Sequence, residues 1–198
     1  NGENIILRST DPFDPTVVAN TIIDGNQTGS VVMFDGREDE TCVLSGFTIR
    51  NGSAQNGGGI RGGMGGSRTR ATTQNNVITD NSAKEDGGGL YQCHGTIQNN
   101  VITDNSAQRD GGGLSDCDGT IENNTVYGNS ADWAGGGGLS ECNGTIRNCI
   151  IWGNSGPELR DSARPSYSCI QGSTEGGEGN IADHPYLVDA DGGDYHLQ

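Results

Sequence analysis

"TTQNNVITDNSA", residues 72–83, returns as "TIQNNVITDNSA", residues 96–107, with one change in twelve positions. Two looser copies follow, "TIENNTVYGNSA" from Thr120 and "TIRNCIIWGNS" from Thr145, so the step is 24, 24 and 25 residues. The same step links Leu90, Leu114 and Leu139. It links Cys93, Cys117 and Cys142, and also Asn81, Asn105, Asn129 and Asn154. The extra residue of the last step falls in "ADWAGGGG", where four glycines stand for three. An earlier, looser copy is "GFTIRNGSAQNGGGI", residues 46–60, separated from the next by the glycine- and arginine-rich "RGGMGGSRTR".

A 24-residue unit of this kind has short β-branched patches broken by Gly and Asn, and no ten-residue apolar stretch of helical period. Strands of three to five residues with sharp bends fit it. One unit cannot bury its apolar side alone, but units stacked about 4.8 Å apart pair every strand above and below. The expectation is an all-β solenoid, with Ile97, Ile121 and Ile146 in one inner column and Ile78, Ile102, Val126 and Ile151 in another. Length over the unit gives roughly seven or eight coils. A single domain is expected over 1–198: irregular N-terminal coils to 60, an insertion at 61–71, regular repeats at 72–155, and a C-terminal coil and terminal segment at 156–198.

Asparagine can serve the backbone N–H and C=O groups that a bend leaves unpaired, and stacked amides can bond each other. Asn81, Asn105, Asn129 and Asn154 form one such ladder. Asn100 and Asn124 form another, unless their neighbours Asn99 and Asn123 take the inward place.

The units and flanks resemble right-handed parallel β-helix repeats of the pectate-lyase-like superfamily. In particular they are similar to the secreted "GGGI/L…TI.NN.I..NSA" repeat proteins of planctomycetes and other environmental bacteria. The opening "NIILRSTDPFDPTVVANTIIDGN" and the closing "EGNIADHPYLVDADGGDYHLQ" look like that family's terminal segments. The resemblance implies the right-handed fold and secretion, and leaves function open. It also makes both ends of the chain look trimmed.

Composition narrows the partners. The net charge is −15, which disfavours nucleic acid and anionic lipid, and no 18-residue apolar run is present to span a membrane. The glycine run "GGGIRG", Gly57 to Gly62, has the spacing of a dinucleotide loop, but it recurs in each coil and opens no helix, so it reads as bends. Cys93, Cys117 and Cys142 read as a ladder of small buried thiols, with one disulfide or a metal as alternatives. Cys149 and Cys169 suggest a second stacked pair. His94 shares its column with Asp118 and Asn143, a polar bend. The outward threonines 72, 96, 120 and 145 are flanked by Gln74, Gln98, Glu122 and Arg147, which spoil an ice-binding face.

No catalytic constellation is visible: there is no Asp-Asp pair and no R-x-K motif, and Lys84 gives way to Gln108 in the next coil. Calcium is the one cofactor candidate, at Asp189, Asp191 and Asp194 of "DADGGD". Sequons stand at Asn26, Asn51, Asn123 and Asn143. The expected function is a non-catalytic structural or adhesive module, extracellular or at the cell surface, self-assembling end to end into a fibre without a capping helix. The alternative is a module that binds or cleaves glycans. It asks for aromatics or arginines in register on one face, and Tyr91, Tyr127, Trp133 and Trp152 are not expected to share a column.

Overall fold

The computed structural model describes residues 4–63, 67–132, 135–172, 177–190 and 192–198. The chain winds into a parallel β-solenoid whose cross-section has four faces. Face A stacks Ile6–Arg8, Val43–Ser45, Thr72–Gln74, Thr96–Gln98, Thr120–Glu122 and Thr145–Arg147. Face B stacks Ile22–Asp24, Thr48–Arg50, Val77–Thr79, Val101–Thr103, Thr125–Tyr127, Ile150–Trp152 and Cys169–Ile170. Face C is a ladder of four Ser-Ala pairs from Ser53–Ala54 to Ser130–Ala131. Face D runs from Val32–Met33 through Ile60–Arg61, Leu90–Tyr91, Leu114–Ser115 and Leu139–Ser140 to Leu159–Arg160.

There are about five turns, fewer than length alone suggests. The first strand of face A at Ile6 meets its next rung, Val43, only 37 residues on, and the segment beyond 156 gives just two short rungs, Leu159 and Cys169, 20 and 19 residues after their partners Leu139 and Ile150, before it leaves the stack. The inner columns follow the repeat. Ile97 pairs with Ile121 and that with Ile146, while Ile78, Ile102, Val126 and Ile151 align on face B. Leu90, Leu114 and Leu139 align on face D and continue back to Ile60. All of these side chains are buried.

The corners explain the paired asparagines. At each A-to-B corner the first residue, Asn75, Asn99, Asn123 or Asn148, adopts a left-handed φ of 54–56° and turns the chain. Asparagine tolerates that region better than most L-residues, because its short side chain bonds locally. The second residue then points inward. Asn76, Asn100 and Asn124 are therefore the ladder and Asn99 and Asn123 lie at the surface. Asn76 Nδ2 donates to Asn100 Oδ1 at 3.2 Å, and Asn100 Nδ2 donates to Asn124 Oδ1 at 3.1 Å.

The B-to-C corner works the same way, with Asp80 or Asp104 bending and Asn81, Asn105, Asn129 and Asn154 stacking. Each Nδ2 gives 2.9 Å bonds to the next Oδ1 and also reaches a carbonyl of the preceding coil. The ladder ends on Glu158, whose Oε1 accepts the Asn154 N–H at 3.2 Å and whose Oε2 accepts its Nδ2 at 2.5 Å. Burial pushes the Glu158 carboxyl above its usual pKa against these hydrogen bonds.

All six cysteines are free and buried, which removes the disulfide alternative. Cys93, Cys117 and Cys142 occupy successive D-to-A corners. Thr69 bridges to Cys93 before them, and the Ser162 hydroxyl accepts the Cys142 N–H after them. Burial raises the Cys117 and Cys142 thiols well above the ordinary range, so they stay protonated and inert. Cys149 does not stack on Cys169. Cys169 pairs with Ile150, and Cys149 instead occupies the asparagine column after Asn124, with its N–H donating to Ser168 Oγ at 3.1 Å. The two "C-I" dipeptides are offset by one residue.

One helix forms where none was expected, at Pro15–Asn20. Asp14 caps it by accepting the Thr16 N–H at 2.8 Å, and proline suits its first turn. It lies against face B, where Thr48 Oγ1 donates to Val18 O at 3.0 Å. Near the C-terminus Leu187–Asp189 and Asp194–Leu197 pair as an antiparallel hairpin. No helix of the described residues is long and apolar enough to cross a membrane.

Candidate functional site

The larger concavity lies on the outside of face B. Its floor is the outward side of three rungs: Val77 and Thr79, Val101 and Thr103, Thr125 and Tyr127. One wall is the Pro12–Ala19 segment with its short helix, and the other is the terminal hairpin with Gly192, Gly193, Tyr195 and His196. The cleft holds 890 Å³. It exists because two segments outside the regular coils fold back on one face.

The hairpin is fastened by Tyr195. Its ring sits 5.8 Å from that of Tyr127, tilted by 57°, and its hydroxyl is 3.0 Å from Thr103 Oγ1. Tyr127 pairs in register with Trp152, so two of the four aromatics weighed in the sequence share one outward column although the four together do not. The repeat places them there directly, since they close the equivalent strands "TVY" and "IIW". The array continues along the C-terminal segment, with Trp152 5.2 Å from His184 and His184 5.1 Å from Tyr186. Tyr91 stands apart on face D, and Trp133 lies outside the described residues.

The lining is weakly charged. Asp104 is its one carboxylate and no Lys or Arg takes part among the described residues. Thr103 Oγ1 donates to Asp104 Oδ2 at 2.9 Å. His196 Nδ1 is 2.6 Å from Asp194 Oδ1, and this contact with the His196 ring and backbone N–H holds Asp194 below its usual pKa. Asn75 and Asn99 add two amides at the rim.

The second group of chemistry-bearing residues sits at the D-to-A corner. The cysteine points inward there, and the residues on either side of it point outward. Successive rungs read Gln-Cys-His, Asp-Cys-Asp and Glu-Cys-Asn. His94 joins Asp116 and Asp118 in one cluster whose ligating atoms lie within 4.8 Å of one another. Burial lowers the His94 pKa, and the nearby Arg68 lowers it further against the pull of Asp116 and Asp118. Reading each column by itself hides this group, because Asp116 comes from the column next to that of His94.

The calcium candidates are partly occupied by their own hairpin. Asp189 and Asp194 face each other across it. Asp189 Oδ1 accepts the Gly192 N–H at 3.0 Å. Asp191 lies outside the described residues. Of the sequons, Asn26, Asn123 and Asn143 are exposed and Asn51 is half-buried, with its Nδ2 donating to Asp24 Oδ2 at 2.9 Å.

A stack of four-sided parallel coils with a cleft on one outer face defines a β-helix. The chain belongs to the right handed beta helix family, whose description reads "Right handed beta helix region" and whose model matches residues 4–174. Neither the curated proteins nor the solved structures contain a match to it.

Proposed function

We propose that this chain is a non-catalytic, extracellular adhesive module that holds neutral glycan chains along face B. The observation that carries this reading is the aromatic array of Tyr127, Trp152, Tyr195, His184 and Tyr186 beside the cleft. Aromatic rings offer apolar faces to sugar C–H groups, while hydroxyls and amides at the rim meet sugar hydroxyls. The charge balance selects among glycans: a chain of net charge −15 with no Lys or Arg among the described residues of the cleft lining repels a uronic-acid polymer. Glycoside hydrolysis takes two carboxylates roughly 5–9.5 Å apart, and Asp104 stands alone in the described lining. The likeness to pectate-lyase-like repeats makes a polysaccharide surface natural without supplying a reaction.

Affinity electrophoresis in soluble xyloglucan, glucomannan and polygalacturonate tests it. Retardation by a neutral polymer, lost in Tyr195→Ala and Trp152→Ala, is the expected result. Free migration in all three gels overturns the reading. Accumulation of unsaturated product at 235 nm from polygalacturonate, with or without calcium, would replace it with a lyase.

End-to-end self-assembly is a second reading with its own observation. Among the described residues the strands Ile6–Arg8, Ile22–Asp24 and Val32–Met33 each pair on one side only, and Ile6, Ile22 and Met33 are exposed. A coil from a second copy would cover these edges. Concentration-dependent sedimentation and filaments by negative stain are expected. A monodisperse monomer at high concentration sinks the idea.

A further inference from the structure

We propose that the D-to-A corner binds a borderline divalent transition ion of the zinc class, held by the His94 imidazole and the Asp116 and Asp118 carboxylates. The fold brings the three together for a specific reason. Gln92, Asp116 and Glu141 all take a left-handed φ of 50–54° at this corner, and the following cysteine turns inward. That bend sends residues i and i+2 to the same outer side. Asp116 and Asp118 therefore flank Cys117 on one rung, and His94 reaches them from the rung before.

The geometry is close to that of a ligand set. His94 Nδ1 stands 3.7 Å from Asp118 Oδ2. Two atoms that each sit about 2.1 Å from one zinc ion are roughly 3.4 Å apart in a tetrahedral site. No separation in the triad exceeds 4.8 Å, so carboxylate rotamers must close at most about 1.4 Å. The imidazole is the independent sign of a site. Its side chain is 7% exposed, and Nδ1, the nitrogen that faces Asp118 Oδ2, accepts the Asp118 N–H at 3.2 Å, a contact that the ion replaces when it takes the same lone pair.

The surroundings already orient the carboxylates. Gln92 Nε2 donates to Asp116 Oδ2 at 2.8 Å, and the Asn143 N–H donates to Asp118 Oδ1 at 3.0 Å. These are outer-shell contacts of the kind that fix ligating oxygens. The cation now near Asp118 Oδ2 is the Arg68 guanidinium, at 3.6 Å on a side chain 65% exposed. A divalent ion replaces it with twice the charge, and Arg68 swings to solvent. One imidazole among two carboxylates favours zinc, copper or nickel over calcium and magnesium, which prefer all-oxygen shells.

The stack supplies its own conservative variants. His94→Asn installs the residue that Asn143 already is in that column, and Asp116→Gln installs the residue that Gln92 already is. Calorimetric titration of the whole chain with zinc chloride is the test. One zinc per chain is expected, with a rise in thermal midpoint that EDTA reverses. His94→Asn and Asp116→Gln each weaken binding at least about tenfold, and Arg68→Ala tightens it. Cys117→Ser, a hydroxyl between the column's Thr69 and Ser162 ends, leaves affinity unchanged. No zinc uptake by the wild type overturns the proposal. So does equal affinity in both ligand variants, loss of binding in Cys117→Ser, or displacement of zinc by an equal concentration of calcium.

Discussion

Residues 72–155 and residues 156–198 of this chain are built by different rules. In the first region nearly every residue has a counterpart directly above or below it, at the same corner and with the same backbone angles. In the second, the chain gives two short rungs to the stack, at Leu159–Arg160 and Cys169–Ile170, and then leaves to lie along face B as a hairpin. The repeating region yields a stiff column with two amide ladders inside. The irregular region yields the wall of the cleft. Uniform stacking alone gives a flat outer face, so a concave one needs chain that departs from the repeat.

The sharpest contrast is expected at the asparagines. Asn105→Ala strands the buried Asn81 N–H and takes the side-chain donor from the Ile78 and Thr103 carbonyls, while the Asn81 Nδ2 keeps the Ile49 and Thr79 carbonyls and the Asn129 Oδ1 keeps the N–H of residue 105. Each buried unsatisfied group costs about 1–3 kcal/mol, so a loss of about 4 kcal/mol after partial relaxation is expected by urea unfolding. Asn99→Ala, six positions away and at the surface, removes only the left-handed preference and costs about 1 kcal/mol. Equal losses would mean that the ladder is not what holds the corner.

Glycines extend the comparison across the two regions. A methyl at Gly119 would run into the Gly95 carbonyl oxygen and the His94 carbonyl of the adjacent coil. Backbone cannot step aside in a stack, so Gly119→Ala is expected to cost about 3 kcal/mol. Gly172, at φ +72°, has open space where a methyl would stand, with no atom within 4 Å, and Gly172→Ala costs about 1 kcal/mol through the backbone alone. Thermal or urea midpoints of the pair read the difference directly. A Gly119→Ala variant as stable as Gly172→Ala would show that the coils are not in close backbone contact.

Sequence periodicity made the columns legible because a parallel stack converts spacing into contact. Ile97 over Ile121 follows from the step of 24 with no further argument. Periodicity could not say which asparagine of a pair turns inward, since both recur at the same step. The deciding fact is the left-handed φ of the first. It also could not see contacts between columns, so His94 read as a polar bend with Asp118 and Asn143 until Asp116 appeared beside it. The cleft was least legible. Half of it depends on where Pro12–Ala19 and the terminal hairpin fold back, and neither segment has a twin to be aligned with. Even there, the Tyr127–Trp152 pairing was present in the step of 25, once the strand ends are aligned.

The smallest effect is expected where the two regions meet, at Glu158. This residue belongs to the irregular segment but closes the amide ladder of the regular one. Its carboxyl is raised by burial, so the folded chain holds the proton more tightly than the unfolded chain does. The favourable contribution is therefore complete below the ordinary glutamate pKa of about 4.5, and is lost as pH rises through the raised value in the folded state. Exposed acids such as Asp24, Asp39 and Asp194, whose values are lowered by local hydrogen bonds, act in the opposite sense and only as pH falls. The windows separate, and Glu158→Gln isolates the first: it keeps an acceptor for Asn154 and cannot ionise. Urea midpoints of both proteins from about pH 4 to about pH 8 should diverge as pH rises, with the variant gaining on the wild type. Parallel curves would mean that Glu158 holds its proton no more tightly in the folded chain than in the unfolded one, and that the irregular segment stabilises the stack without any titration of its own.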